Sequence, residues 1–355
     1  MKNTYFSKIA QTIEPYQWEE GITEQMLRFD ANTLPFPPKS VERFLNAMAK
    51  RCPINEYADP TYATLKKLIA DYEQTDVSMI TITNSGDEAL DIIAKTFINP
   101  QDKFIVQPPT YEMFSIQCEM NGGKQIEVPL IPKTFAMDVN TLIETSKNVT
   151  AKLIFICNPN NPTGTTYPQA EIERILTESN CIVVVDEVYR EFYGKSVVQL
   201  LTKYDNLVIL RSFSKFAAMA GARIGYLISN PTINNKFDGI RLPMGVSYLS
   251  YKLAEYVLQF DKNWIVKQVQ MIIRERERLT YELTKLGCIT YPSQANFLLV
   301  DLGGRAQEIC NKLRDNNILI RDRSTKKYLE GCVRITVRSP EENTKLIANL
   351  KKANK

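Results

Sequence analysis

The sequence predicts an α/β protein, in which a large domain carries a mostly parallel central sheet flanked by helices and a smaller α+β domain is built from the C-terminus. Three observations predict it. From about residue 79, short apolar runs rich in β-branched residues alternate with longer helical patterns, which is how a parallel sheet reads. Those runs are continuously apolar rather than alternating, as strands covered by helices on both faces are. Near residue 240 the pattern changes to one long charge-laced helix followed by separate strand-like runs.

The strands expected in the large domain are Met79 to Thr83, Phe104 to Val106, Leu153 to Cys157, Cys181 to Val185, Leu207 to Leu210 and Ile224 to Ile228. Before them, Pro15, Pro35, Pro37 and Pro38 interrupt any regular element, so residues 1–45 read as an arm and linker contributing to the small domain. Residues 46–240 form the expected large domain and residues 241–355 the small one. In the latter, Lys262 to Leu286 reads as a helix, Phe297 to Val300, Ile318 to Arg321 and Val333 to Val337 as strands, and Pro340 to Lys351 as a closing helix with acidic residues in its first turn.

Composition narrows the function. With 355 residues, 44% hydrophobic and 24% charged, the chain can bury a large core divided between two domains. No apolar run reaches the ~20 residues of a membrane-spanning helix, and the N-terminus lacks a secretory apolar stretch, so a cytoplasmic protein without a membrane partner is expected. A formal net charge of +4 is dispersed rather than gathered in a basic block, which argues against nucleic acid and is compatible with an anionic ligand. The seven cysteines contain no C-x-x-C pair and read as free thiols. The chain contains no histidine. Ser-His-Asp hydrolysis, Cys-His proteolysis and H-E-x-x-H zinc chemistry are thereby removed, and no metal is expected.

In an open α/β sheet ligands sit beyond the carboxyl ends of the strands. Four such ends carry unusual residues. Asn84-Ser85-Gly86-Asp87 opens a helix whose free N–H groups suit a phosphate, although ordinary helix caps look alike. Asn158 to Gly164 is an Asn/Pro/Gly loop, a turn in any case, in which Asn161 is placed to donate to a ligand oxygen. Asp186 ends a buried strand, where a carboxylate is costly unless a cation meets it, an ordinary salt bridge being one way. Lys215 follows a buried strand among the hydroxyls of Ser212 and Ser214, with Arg223 beyond; desolvation there would make it a nucleophile rather than the usual surface lysine. Together they supply what pyridoxal 5'-phosphate needs: a lysine for its aldehyde, an anion for its ring nitrogen, a donor for its phenolate oxygen and an anion site.

The segments N-P-N-N-P-T-G (Asn158 to Gly164), D-E-V-Y (Asp186 to Tyr189) and S-F-S-K with a downstream arginine (Ser212 to Arg223) resemble fold-type I aminotransferases of the aspartate aminotransferase superfamily. E-P-Y at Glu14 to Tyr16, P-P-T-Y at Pro108 to Tyr111, R-D-R-S at Arg321 to Ser324 and G-C-V-R-I-T-V at Gly331 to Val337 are further similar to histidinol-phosphate aminotransferases. The resemblance covers nearly the whole chain. It implies transfer of an amino group from L-histidinol phosphate to 2-oxoglutarate by a homodimer. It also implies Lys215 as the Schiff-base lysine and proton carrier, Asp186 at the pyridinium nitrogen, Tyr189 and Asn161 at the phenolate oxygen, and Tyr111 stacked on the ring. The phosphate would lie on Gly86, Asp87, Ser212, Ser214 and Arg223, with Tyr57 reaching it from the partner subunit. Arg334 and Arg321, helped by Tyr16 and Asn32, would bind the donor's anionic group. Two departures stand out: Thr33 occupies the place of a glutamate near the substrate, and Arg338 follows the R-I-T-V run where the family commonly has glycine. A phosphothreonine-type decarboxylase and an aromatic-amino-acid aminotransferase share these features and remain open. So does a non-catalytic binding module, though without a G-x-G-x-x-G or P-loop motif to support nucleotide binding.

Overall fold

Alternation of buried strands and one-sided helices builds a sheet whose ends carry the chemistry. The computed structural model describes residues 5–12 and 21–353. Its strands are β1 (Leu27–Phe29), β2 (Ile80–Thr83), β3 (Lys103–Val106), β4 (Lys124–Glu127), β5 (Leu153–Cys157), β6 (Ile182–Asp186), β7 (Leu207–Ser212), β8 (Gly225–Ser229), β9 (Ile289–Thr290), β10 (Phe297–Asp301), β11 (Ile318–Asp322) and β12 (Cys332–Thr336). Seven form one sheet in the order β2-β8-β7-β6-β5-β3-β4, and five form a second in the order β1-β11-β12-β10-β9.

In the larger sheet only β8 runs against its neighbours. Every residue of β2, β5, β7 and β8 is buried, in keeping with their apolar runs. The helix Ser85–Phe97 turns Ala89, Leu90, Ile92, Ile93 and Ala94 inward and leaves its charged residues outward. β2 begins one residue later than expected because Val77–Met79 forms a tight turn, capped by the Asp76 carboxylate on the Ser78 N–H. β4 adds to the expected strands: it is an edge strand whose K-Q-I-E is half exposed, so it carries no apolar run.

The reversed strand has a consequence for the site. Because β8 is antiparallel to both β7 and β2, its first residue, Gly225, faces the last residues of both, Ser212 and Thr83. Arg223, just before it, is thus delivered to the sheet edge where the parallel strands end. The packing there is close enough to demand glycine: a Cβ on Gly225 would stand 2.7 Å from the Ser85 carbonyl carbon.

In the second sheet β12 is central, with Arg334 opposite Arg321 of β11 and Leu299 of β10. β1, from the N-terminal part of the chain, pairs in parallel with β11, so the residues that follow it are carried from this sheet toward the ends of the larger one. The helices Lys262–Lys285 and Pro340–Ala353 cover it, joined where Asn343 donates to Glu275 at 2.8 Å.

Candidate active site

A cavity of about 290 Å³ lies between the carboxyl edge of the larger sheet and β11 and β12 of the smaller. Its walls include Ser85, Gly86, Asp87, Tyr111, Asn161 and Asp186, with Tyr189, Ser212, Ser214, Lys215 and Arg223 from the same sheet. Asn32, Arg321 and Arg334 come from the other side. The structure therefore gathers the sequence-predicted residues into one place with two exceptions. Tyr57 is 86% exposed, away from the cavity of its own chain. Tyr16 lies outside the described residues.

Lys215 stands in the single-turn helix Phe213–Phe216 that follows β7, capped by the Ser212 hydroxyl on the Ser214 N–H. Its Nζ donates to the Ala31 carbonyl at 2.9 Å. Burial, with Arg334 and Arg223 nearby and Asp87 and Asp186 opposing, pushes the amine down to about 8. It therefore reaches its nucleophilic form near neutrality.

Asp186, at the end of β6, is 5% exposed. Among the described residues its carboxylate accepts one hydrogen bond, from the Val188 N–H at 3.0 Å, and has no ion pair. Burial pushes it up to about 7, with the neighbouring Glu187 adding to the rise. The next side chain along takes the opposite direction: Glu187 is bound by Arg211 at 2.7 Å, and Arg211 also reaches Glu73, which accepts from the Tyr226 hydroxyl. This buried network satisfies Glu187 behind the sheet edge and leaves Asp186 facing the cavity, where a cationic ligand group would offset its desolvation.

The residues expected at a phosphate are already in mutual contact. Arg223 donates to the Ser85 hydroxyl at 2.7 Å and pairs with Asp87 at 2.6 Å, while the Ser212 hydroxyl donates to Ser214 at 2.9 Å. Tyr111 donates to Asp87 at 3.2 Å and packs edge-on against Phe114. In the Asn/Pro loop the first two asparagines are structural: Asn158 accepts from the Tyr167 N–H, and Asn160 bridges Thr110, Thr163 and the Pro109 carbonyl. Asn161 alone turns to the cavity, its Oδ1 accepting from Arg334 at 2.7 Å.

Arg334 is 6% exposed. Its partners are neutral, Asn161 and the Asp30 carbonyl, and its Nε has no hydrogen-bond partner among the described residues. Burial, with Arg323 and Arg321 nearby, pulls its guanidinium down to about 10 against the opposing influence of Tyr189. A buried guanidinium held by neutral groups is set up for an anion from outside. Arg321 and Arg323, two residues apart on β11 and just beyond it, line the same wall, and Arg323 also contacts Glu112 at 3.4 Å.

Sequence reasoning does not single out Arg323, Arg28, Asp30 or Ala31, all of which line the cavity. Arg323 is detectable in principle, since residues two apart on a strand share a face. Asp30 pairs with Arg28 at 2.7 Å and Ala31 contributes only a carbonyl, so neither leaves a sequence signal. The Arg338 departure has a plain resolution. Its side chain pairs with Glu342 at 2.9 Å on the closing helix and does not line the cavity.

The donor set fits pyridoxal 5'-phosphate: a buried amine of lowered basicity, a strand-end carboxylate with no ion pair among the described residues, an amide and a phenol, and a hydroxyl- and arginine-lined helix start. The buried Arg334 guanidinium lines the same cavity. Fold and site together are those of a lysine-based transferase of the fold-type I kind. The chain belongs to the aminotransferase class I and II family, whose model matches residues 24–350. It is 37% identical over 326 residues to the histidinol-phosphate aminotransferase of Thermoanaerobacter pseudethanolicus, covering 91% of this chain and 92% of that one. Among solved structures, the histidinol-phosphate aminotransferase of Sinorhizobium meliloti in complex with pyridoxal-5'-phosphate superposes with a TM-score of 0.90 at 27% identity, over 98% of this chain and 97% of that one. That of Clostridium acetobutylicum does so with 0.84 at 27%, over 92% and 98%.

Proposed function

We propose that this chain is a pyridoxal-phosphate-dependent aminotransferase that moves the amino group of L-histidinol phosphate to 2-oxoglutarate. The observation that carries the reading is the juxtaposition, in one cavity, of the Lys215 amine and Asp186 carboxylate with a buried Arg334 that has no anionic partner among the described residues. When bound, the cofactor supplies an aldehyde for amines and a protonated ring that withdraws electrons from the donor's Cα.

The residues divide the remaining work. Lys215 Nζ would hold the cofactor and would be the group that moves the proton at the donor's Cα, a task for which an amine near 8 is suited at neutral pH. Asp186 keeps the ring nitrogen protonated. Tyr189 and Asn161 would donate to the ring oxygen, and Tyr111 would flank the ring. Gly86, Asp87, Ser212, Ser214 and Arg223 hold the phosphate. Arg334 and Arg321, with Arg323 beside them, take the donor's phosphate in one half-reaction and a carboxylate of 2-oxoglutarate in the other, with Tyr16 and Asn32 as further contacts.

A homodimer in which Tyr57 enters the partner's phosphate site completes the proposal. Supporting it, Ile54 and Tyr57 are exposed together with Leu242 and Met244, in a segment that Arg241 ties to the Pro60 carbonyl at 2.7 Å. Among the described residues all seven cysteines are free, in keeping with a reducing cytoplasm. No helix there is long and apolar enough to cross a membrane.

The test is a donor comparison on cofactor-loaded protein with 2-oxoglutarate, following glutamate and carbon dioxide. Glutamate formed preferentially from L-histidinol phosphate is the expected result. Glutamate from phenylalanine alone, or carbon dioxide from O-phosphothreonine without glutamate, would assign one of the two sister activities instead.

A further inference from the structure

Tyr189 has a single hydroxyl proton to give, and the structure fixes where it can go. The hydroxyl oxygen already accepts from Asn32 Nδ2 at 3.0 Å. Among the described residues its own proton meets no acceptor, and the side chain borders the cavity. Asn32 is held in turn. Its backbone N–H donates to Thr336 Oγ1 at 2.9 Å, so that hydroxyl's proton is left to donate back to Asn32 Oδ1 at 3.2 Å. With Oδ1 engaged as acceptor, the amide must present its N–H₂ to Tyr189. Asn296 fixes the backbone by donating to the Asn32 carbonyl at 2.9 Å. Asn32 adopts a φ of 53°, a left-handed conformation that asparagine tolerates better than most residues. Thr336 and Asn32 are almost wholly buried, so no water competes for these bonds.

Each bond in this chain runs one way: Thr336 hydroxyl to Asn32 Oδ1, Asn32 Nδ2 to the Tyr189 oxygen, and the Tyr189 proton into the cavity. We infer that Thr336 and Asn32 are positioning residues that point the Tyr189 hydroxyl proton at the cofactor's ring oxygen and thereby set the protonation equilibrium of the bound cofactor. Thr336 lies two residues after Arg334 on β12 and shares its face. One strand of the smaller sheet thus both reads the donor's anion and orients a hydroxyl of the larger domain's site. The inference rests on the placement of the ring oxygen beside Tyr189 proposed above.

A donor aimed at the ring oxygen favours its anionic, proton-poor form, so losing the aim raises the pH at which the cofactor gives up its proton. The test is a pH titration of the visible absorbance of the bound cofactor in wild type, T336V, T336S, Y189F and the T336V/Y189F double variant. T336V is expected to raise the midpoint by about one pH unit, the worth of one hydrogen bond to a charged form. T336S, which keeps the hydroxyl, is expected to match wild type, and T336V is expected to add nothing in the Y189F background. An unshifted midpoint in cofactor-loaded T336V, or a shift that persists in full without the Tyr189 hydroxyl, overturns the relay. An unshifted Y189F would overturn the placement of the ring oxygen and the relay with it. Should T336V not retain the cofactor, N32A and its Y189F double variant give the same comparison: a raised midpoint that needs the Tyr189 hydroxyl supports the relay, and an unshifted one overturns it.

Discussion

Replacing Asp186 with asparagine should make the cofactor-free protein more stable and the loaded enzyme nearly inert. The carboxyl is pushed from an ordinary 3.8 up to about 7 by burial, with one N–H as its only direct partner among the described residues. Between those values the folded chain holds a proton that the unfolded chain has released. The associated stability is therefore fully present below about 3.8 and is lost as pH rises through about 7. At about 1.4 kcal/mol per pH unit, a rise of that size amounts to about 4 kcal/mol of penalty on the ionised form, with little solvent to screen it at 5% exposure. The amide of the D186N variant would keep the Val188 hydrogen bond and the shape while removing the charge. Urea unfolding of cofactor-free wild type and D186N across this range should show a gap in favour of D186N that widens with pH and levels off near about 4 kcal/mol above neutrality. With cofactor bound the order reverses in function, since a neutral amide cannot hold the ring nitrogen protonated. A gap that is flat with pH, or a D186N protein less stable at alkaline pH, would refute the claim that Asp186 is stored without a counter-charge.

Three other perturbations follow from the same geometry. R334A should lower kcat/KM for the phosphorylated donor by roughly 30- to 150-fold, as expected for about 2–3 kcal/mol of charge-assisted bonds, with the cofactor still bound; steady-state kinetics with absorbance of the bound cofactor checks both halves. G225A should cost about 2 kcal/mol or more, because the new methyl would meet the Ser85 backbone at 2.7 Å, and should weaken phosphate retention at that helix start; urea unfolding and cofactor titration read the two effects. Y57F should retain cofactor more weakly than wild type, and mixing it with inactive K215A should restore wild-type cofactor retention at the site of the mixed dimer that pairs an intact Lys215 with an intact Tyr57; no recovery on mixing would remove Tyr57 from the partner's site.

The scaffold is legible in the sequence because buried parallel strands leave continuous apolar runs: Leu153–Cys157 coincides with its expected bounds, and β6 differs only by a one-residue shift. Direction is not legible. β8 is as apolar as its parallel neighbours, and nothing in its composition tells that it runs against them, although this reversal is what brings Arg223 to the sheet edge. Short pairings such as Leu27–Phe29 and Ile289–Thr290 are invisible because so few residues show no period. Lys215, Asp186 and Asn161 can be read from their positions just beyond apolar runs. Ala31 cannot, because it acts through its carbonyl, and Asn32 reads only as a substrate contact, without any hint that its amide is engaged by Tyr189 and Thr336. Contacts made by backbone, or by partners some 300 residues away in sequence, leave no local pattern.

The most direct test of the mechanism is to fix the cofactor where it sits. Cofactor-loaded protein treated with borohydride, digested and analysed by mass spectrometry should carry a stable pyridoxyl-phosphate adduct on Lys215, and the rate of cofactor uptake by the cofactor-free protein should fall as pH drops below about 8. The K215A variant should show none. An adduct on any other lysine, or equal labelling of K215A, would contradict the assignment of Lys215 as the residue on which the chemistry turns.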